Sequence, residues 1–392
     1  MSVDVREVRR IITGVLPAIK TLRRDLHRHP ETAYEEVRTA GKVSEHLRAL
    51  KVPHRTKVGR TGVVGVIGGN ERGRCIALRA DMDALNLDEK TRFAYRSVHA
   101  GKMHACGHDG HTAVLVGVAH VLSRLKAHLR GSVKLLFQPA EEGGAGAAAM
   151  LKDGAFRDPK PDVIYGLHCD TSFPVGTIAF SAGPCSAAAD RIYITLRGKG
   201  SHAAHPDKGI DPIVISAAVI QALQTLRSRR THPLHPLVVT IGMIHGGTAG
   251  NIIPDEVQLT GTWRSYDPKL RKTVPRQLTR LVRGIARAMD GDADVECTFG
   301  YPPVVNDAGA CEFLSTVGGE VLGRRRVRPR QPTMGGEDFA FFLERVPGVF
   351  FRLGVGKGCG IGHSPTFDFN DDALETGILV MSLLAVRWLE QH

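Results

Sequence analysis

Three short apolar runs constrain the fold of this chain more than any other feature, because each ends in side chains that carry charge or can hold a metal. Arg74-Cys75-Ile76-Ala77-Leu78-Arg79 leads into Ala80-Asp81-Met82-Asp83. Val133-Lys134-Leu135-Leu136-Phe137 leads into Gln138-Pro139-Ala140-Glu141-Glu142, and Val163-Ile164-Tyr165-Gly166-Leu167 leads into His168. Runs of this kind suit strands buried on both faces, as in a largely parallel sheet covered by helices. Between the first two, Leu115, Ala119, Leu122, Leu125 and Leu129 recur every three or four residues, which predicts a helix from Thr112 to Leu129 after a His-rich loop. Ligands of open α/β sheets bind at the carboxyl ends of the strands, so the terminal acids and His168 should converge there.

From about Asp190 the pattern changes. Ile192-Tyr193-Ile194-Thr195-Leu196-Arg197 alternates strictly, as a strand buried on one face does. Asp211-Pro212 opens a helix through Leu226, two strands follow at Val238–Ile244 and Val257–Arg264, and Asp267-Pro268 opens another helical stretch to Met289. Pro275 is expected to kink or restart that helix. A last strand covers Val295–Phe299, which completes the β-α-β-β-α-β order of a ferredoxin-like unit. The chain has 392 residues, more than the ~250–300 at which a single core stops growing. The expected architecture is α/β: a metal-binding α/β domain over 1–186 and 301–392, with the ferredoxin-like domain inserted at 187–300.

Composition narrows the function classes. With 42% hydrophobic and 23% charged residues the chain is globular rather than disordered. No apolar stretch is long enough to cross a bilayer, and Met1–Arg6 lacks the basic-then-apolar pattern of an export signal, so a cytoplasmic protein with no membrane partner is expected. Seven scattered cysteines argue against a disulfide framework. The net charge of +12 raises the question of nucleic acid, but the basic clusters at 227–230, 269–287 and 324–328 carry no interleaved aromatics. They read as solvated faces, and no nucleic-acid partner is expected.

The densest group of metal-capable side chains is His104-Ala105-Cys106-Gly107-His108-Asp109-Gly110-His111. Thiolate, imidazole and carboxylate before a helix suit a transition metal, although a buried Cys beside an unrelated His is an equally ordinary reading of that fragment alone. Adjacent glutamates add to the metal reading. Successive side chains on extended backbone point to different sides, so one of Glu141 and Glu142 can ligate while the other faces a bound water.

These segments resemble the M20 family of metallopeptidases and aminoacylases, in the amidohydrolase branch of hippurate hydrolases, N-acyl-amino-acid deacylases and auxin-conjugate hydrolases. The similarity covers nearly the whole chain: Arg23-Arg24-Asp25-Leu26-His27 with Pro30-Glu31, Leu78–Leu85, Met103–His111, Gln138–Gly143, Gly198–Ala204, Gly246-Gly247-Thr248, Asn251–Asp255, Met334–Phe339 and His363-Ser364-Pro365. The resemblance implies two divalent ions per subunit (Zn, Mn, Co or Ni) held by Cys106, His108, Glu142, His168 and His363, with Glu141 as general acid and base. It further implies that Asp83 orients a ligating His, that His202 reaches from the inserted dimerisation and lid domain into the partner's active site, and that Asn251 and Arg264 contact substrate. His104 and His111 resemble scaffold positions, and the other six cysteines read as packing residues.

The implied reaction is hydrolysis of the amide bond of an N-acyl amino acid by a homodimer. The alternatives are an exopeptidase of the same family acting on short peptides and, outside enzymes, a structural or storage metal protein. Glu141 argues against the last, since a closed structural site needs no spare carboxylate. Gly250 before Asn251, His205 after Ala204 and Asn86 after Leu85 depart from the family pattern around the substrate, leaving substrate identity open and the reaction class intact.

Overall fold

The computed structural model describes residues 3–68 and 73–392. They form two compact units. The larger runs to Cys185 and resumes over Val305–Gln331 and Asp338–His392; the smaller comprises Ser186–Val304 and Pro332–Glu337. The smaller unit thus extends past the expected 187–300 and takes back a short segment, Pro332–Glu337, whose backbone pairs with it at Ala187 N–H to Gly335 carbonyl, 2.9 Å.

The chain opens with α1 (Val5–Arg28) and α2 (Val37–Ala49), then β1 (His54–Val58), β2 (Gly62–Gly68) and β3 (Arg74–Asp81). After an irregular stretch come α3 (His108–Arg124), β4 (Gly131–Gln138), α4 (Gly146–Lys152), β5 (Val163–Asp170) and β6 (Ile178–Phe180). The smaller unit supplies β7 (Ala188–Arg197), α5 (Pro212–Arg229), β8 (Leu237–Gly246), β9 (Glu256–Ser265), α6 (Pro268–Ala288) and β10 (Asp292–Tyr301). The remainder is α7 (Ala308–Leu322), β11 (Val327–Pro329), β12 (Gly348–Gly354) and α8 (Ala373–Gln391).

The larger unit's sheet has the order β1-β2-β4-β3-β5-β12-β6-β11. Its centre, β4-β3-β5-β12, is parallel. The flanks are mixed, with β1 and β2 antiparallel because a short turn can join strands only as a hairpin. The apolar runs read from sequence are these central strands, buried along their length against α3 and α8.

Helix α3 differs from expectation. It begins at His108 rather than Thr112 and ends at Arg124 rather than Leu129, followed by a 3-10 turn over Lys126–His128. Gly107 explains the early start: it sits at φ +81°, and a Cβ there would meet Cys169 Sγ at 2.7 Å, so only glycine lets the chain turn into the helix at this point. The second half of the His-rich stretch, His108–His111, is therefore the first turn of a helix, while His104–Gly107 remain in the turn before it. Leu125 and Leu129 still reach the core, through the 3-10 turn.

A buried ion network anchors that first turn. Asp109 Oδ2 lies 3.3 Å from Arg23 Nη1 and 2.9 Å from His27 Nδ1, while Arg23 also pairs with Asp368 at 2.8 Å and Asp371 at 2.7 Å. The other nitrogen of His27 lies 3.3 Å from Glu89. Burial alone would depress the His27 imidazole, but its hydrogen bonds and charge pairing with Asp109 and Glu89 raise it to about 9. An exposed imidazole titrates near 6.5, so this pairing stabilises fully below that pH and is lost as pH rises through about 9. The thermal midpoint is expected to fall by a few degrees between pH 6.5 and 9.5, and His27→Gln to start lower and lose less over the same range. Equal slopes in melts of both proteins would contradict this assignment.

The smaller unit's sheet has the order β8-β9-β7-β10, antiparallel throughout, the ferredoxin-like arrangement. Ile192, Ile194 and Leu196 of β7 share its core with Val219 and Leu223 of α5 and Leu278 and Val282 of α6. Asp211 and Asp267 cap the two helices by accepting backbone N–H groups. Pro275 does not restart α6, which runs unbroken to Ala288. The buried row Val274, Leu278, Val282 and Ala286 outweighs the ~3 kcal/mol that an interior proline costs.

Candidate metal centre

The end of β3, the start of α3, the turn after β4, the end of β5 and the loop after β12 bring the donors together. Cys106, His108 and His168 form one group in which one ligand atom per residue lies within 4.8 Å of the others; Cys106, Glu142 and His363 form a second, and His108, Glu141 and Glu142 a third. Cys106 Sγ lies 3.3 Å from His168 Nε2. His168 Nδ1–H donates to the Cys169 carbonyl at 2.7 Å, which leaves the Nε2 lone pair directed at the cluster. His363 Nε2 lies 3.1 Å from Glu142 Oε1, and the His363 backbone N–H donates to the Ala105 carbonyl at 2.8 Å, tying its loop to the Cys106 segment.

Asp83 sits behind the donors. Its Oδ1 lies 3.3 Å from His108 Nδ1 while its Oδ2 accepts the backbone N–H of Glu142 at 2.9 Å. On the other side of the ring, His108 Nε2 faces Asp81 at 3.8 Å and Glu142 at 4.0 Å.

A further layer was not assigned from sequence. Asp81 accepts from His111 Nδ1 at 2.6 Å and from Arg79 Nη1 at 2.6 Å; His111 Nε2 accepts the Cys169 N–H at 2.8 Å. Both ring nitrogens of His111 are thereby occupied, as befits a scaffold residue. Arg79 continues to Gln138 at 2.7 Å and to Asp338 at 3.2 Å, and Asp338 also receives the Gln138 amide at 2.6 Å and the Ala147 N–H at 3.0 Å. The signal was an arginine inside an apolar strand, Leu78-Arg79-Ala80, which a buried strand tolerates only when fully paired.

The site suits divalent cations. Both ring nitrogens of His108, Asp83 Oδ1 and Glu142 Oε1 are buried without a well-directed hydrogen bond among the described residues, at variance with the general rule for buried polar atoms. Burial, followed by the charges of Glu142 and its acidic neighbours, pushes the Cys106 thiol well up. Burial would depress His108, yet Asp81, Asp83 and Glu142 raise it to about 10. The Cys106 thiol and the His108 ring therefore hold protons beside these carboxylates, and a bound cation takes the place of those protons.

The smaller unit positions the other residues named from sequence. His202 lies in a two-stranded ladder, Ser201–His202 with Ile252–Ile253, and the Ala203 N–H donates to the Asn251 carbonyl at 3.0 Å, which sets His202 beside Asn251. The Ala204 N–H donates to His202 Nδ1 at 3.0 Å, so the neutral ring carries its proton on Nε2, free to donate outward. A cleft of about 710 Å³ opens beside it, lined by Ser201, His202, Thr248 and Ile252. Arg264 lies apart, at the far end of β9, where it donates to the Met334 carbonyl at 3.1 Å.

The sequence profile described as Peptidase family M20/M25/M40 matches residues 77–387. The chain is 39% identical to an N-acetyl-L-cysteine deacetylase of Bacillus subtilis, covering 95% of this chain and 88% of that protein. It is 38% identical to the IAA-amino acid hydrolase ILR1-like 2 of Arabidopsis thaliana, covering 94% and 85%. Among solved structures, YxeP of Bacillus subtilis, described as a dinuclear metal binding peptidase of the M20 family, superposes with a TM-score of 0.85 at 34% identity over 97% of this chain and 100% of that one.

Proposed function

The chain belongs to peptidase family M20/M25/M40 and is a metal-dependent hydrolase, and from that premise we propose that it cleaves the amide bond of N-acyl amino acids carrying acetyl, benzoyl or similar groups. The carrying observation is the pair of carboxylates after β4. Glu142 belongs to the donor group of Cys106 and His363, and Glu141 lies within reach of Glu142 and His108 without being needed to close a structural site.

We assign two divalent ions per subunit, zinc, manganese, cobalt or nickel, to Cys106, His108, Glu142, His168 and His363. Ions held there supply Lewis acidity, which makes water a nucleophile near neutral pH. Asp83 takes the His108 Nδ1–H and so aims Nε2 at the donor cluster. Glu141 accepts the proton of the attacking water and delivers it to the departing nitrogen, which would otherwise leave poorly. His202 donates its Nε2–H to the carbonyl oxygen as charge develops there. Asn251 and Arg264 contact the substrate or its carboxylate. The products are a carboxylic acid and a free amino acid.

A screen of N-acetyl, N-benzoyl and indole-acyl amino acids beside dipeptides, with metal analysis of the same preparation, tests this reading. Acyl amino acids should turn over faster than dipeptides. The reverse order makes the protein an exopeptidase, and inactivity on all of them at full metal content removes the proposal.

The functional unit we assign is a homodimer formed through the smaller unit. β8 is an edge strand whose Met243 and Ile244 are each about half exposed (53% and 51%), and Ile213 and Val214 at the start of α5 add exposed apolar surface. A second copy would cover the open edge and these side chains. All seven cysteines are free, which suits a reducing compartment, so we place the enzyme in the cytoplasm. No described helix is long and apolar enough to cross a membrane.

In this dimer His202 serves substrate bound by the partner subunit. His202→Ala is expected to lower kcat by roughly 10²–10³, the loss seen for one oxyanion donor, with metal content unchanged. Mixing Glu141→Gln with His202→Ala subunits should restore activity, because hybrids contain one intact site. No recovery despite demonstrated subunit exchange would put His202 in its own subunit's site or outside catalysis.

A further inference from the structure

The turn that carries Glu141 is strained and held from two sides. Ala140, just before it, adopts φ +52°, a left-handed conformation that residues with a Cβ rarely take. On the far side, the Glu142 N–H is fixed by Asp83 Oδ2 at 2.9 Å. On the near side, the Ala140 N–H donates to Glu36 Oε1 at 2.8 Å.

Glu36 is at the entry to α2, where a polar side chain ordinarily caps the helix. It does not do so here. Glu31 takes that role, accepting the N–H of Arg38 at 2.9 Å and of Thr39 at 2.8 Å. Glu36 is thereby free to turn inward. It is fully buried; Oε1 accepts the N–H groups of both Tyr34 and Ala140, and Oε2 accepts the Thr61 hydroxyl at 2.5 Å. Tyr34 adds a second tie to the same turn, its hydroxyl donating to the Gly144 carbonyl at 2.6 Å.

We propose that Glu36 is a positioning residue for Glu141: its carboxylate clamps Ala140 in the left-handed conformation, and with Asp83 on the other side sets the direction of the Glu141 carboxylate. This rests on the reading of Glu141 as the proton carrier. The role is one of shape and not of charge. A glutamine at this position keeps an oxygen that accepts both backbone N–H groups, and its amide can donate to the Thr61 hydroxyl. An aspartate keeps the charge but is one methylene too short to reach the Ala140 N–H.

The experiment is therefore an order of rates. Glu36→Gln should keep kcat within about threefold of the wild type, while Glu36→Asp should lower it by about 10²-fold, the cost of roughly 1 Å of misplacement, with KM and metal content near wild type. Adding Ala140→Gly to Glu36→Asp should recover at least about tenfold, since glycine takes a positive φ without a clamp. Glu36→Asp as active as Glu36→Gln, a loss fully accounted for by lost metal, or no recovery with Ala140→Gly would each overturn the proposal. If Glu36→Asp does not fold, Thr61→Val replaces it: freeing Oε2 should lower kcat severalfold, and an unchanged kcat overturns the clamp. An inactive Glu141→Gln enzyme beside Glu36→Asp at full rate would defeat the positioning role alone; an active Glu141→Gln enzyme would defeat the reading beneath it.

Discussion

Glu141→Gln is expected to retain its full metal content and lose about 10⁴-fold in kcat, the upper end of what positioned proton transfer contributes. The amide has the same outline as the carboxylate, so the turn between Ala140 and Gly143 has no reason to move. Glu142 and its contact with His363 at 3.1 Å are untouched. What changes is chemical: one face of the side chain now donates a proton it cannot give up, and nothing accepts the proton that the attacking water must shed. Amine release measured at saturating substrate, beside elemental analysis, separates the two quantities. Wild-type turnover in this variant would remove Glu141 from the mechanism.

Cys106→Ala is expected to fail differently, losing metal and rate together. The thiolate belongs to two of the donor groups, with His108 and His168 on one side and Glu142 and His363 on the other. Its removal should therefore lower the bound metal by at least one equivalent and reduce turnover to a small fraction of wild type, with partial recovery in excess metal. Asp83→Ala supplies a graded comparison. It removes no proposed ligand but frees both His108 Nδ1 and the Glu142 N–H that Asp83 holds at 2.9 Å, and should weaken metal affinity by about 10–100-fold, the usual effect of losing a group that orients a ligand. Full occupancy and normal activity in Cys106→Ala would return the cysteine to the role of core filler.

The parts of this architecture that could be read from sequence are those where one physical demand dominates. The strands at 74–81, 131–138 and 163–170 are legible because burial on both faces leaves room for little but apolar side chains. β7 is legible because burial on one face imposes strict alternation. The segment around Cys106 and His108 draws attention because few side chains can serve as metal donors, whereas the proposed ligand set as a whole, His363 above all, entered through the family resemblance. The start of α3 was hidden because polar ligands interrupt the apolar period there, and the turn that begins it depends on the φ of Gly107. Arg79, Gln138 and Asp338 were hidden for another reason: they are satisfied by one another across 259 residues, and spacing along the chain carries no trace of such a pairing. Glu36 left no trace in the sequence because its partners Thr61 and Ala140 lie 25 and 104 residues away.

The smaller unit's first and last strands lie side by side, with Ala189 opposite Tyr301 and the Gly300 N–H bonded to Asp190 at 2.9 Å. Chain leaving through β7 and chain coming back through β10 are thus separated by a strand spacing of about 5 Å. For the host domain, this long excursion is a loop whose ends are already closed by its own hydrogen bonds. Closure entropy grows only slowly with length, and here it is met inside the insertion. The inserted segment can therefore lengthen, diverge or be exchanged as a block between hosts, with the strand-end cluster of the larger unit left to keep its own geometry.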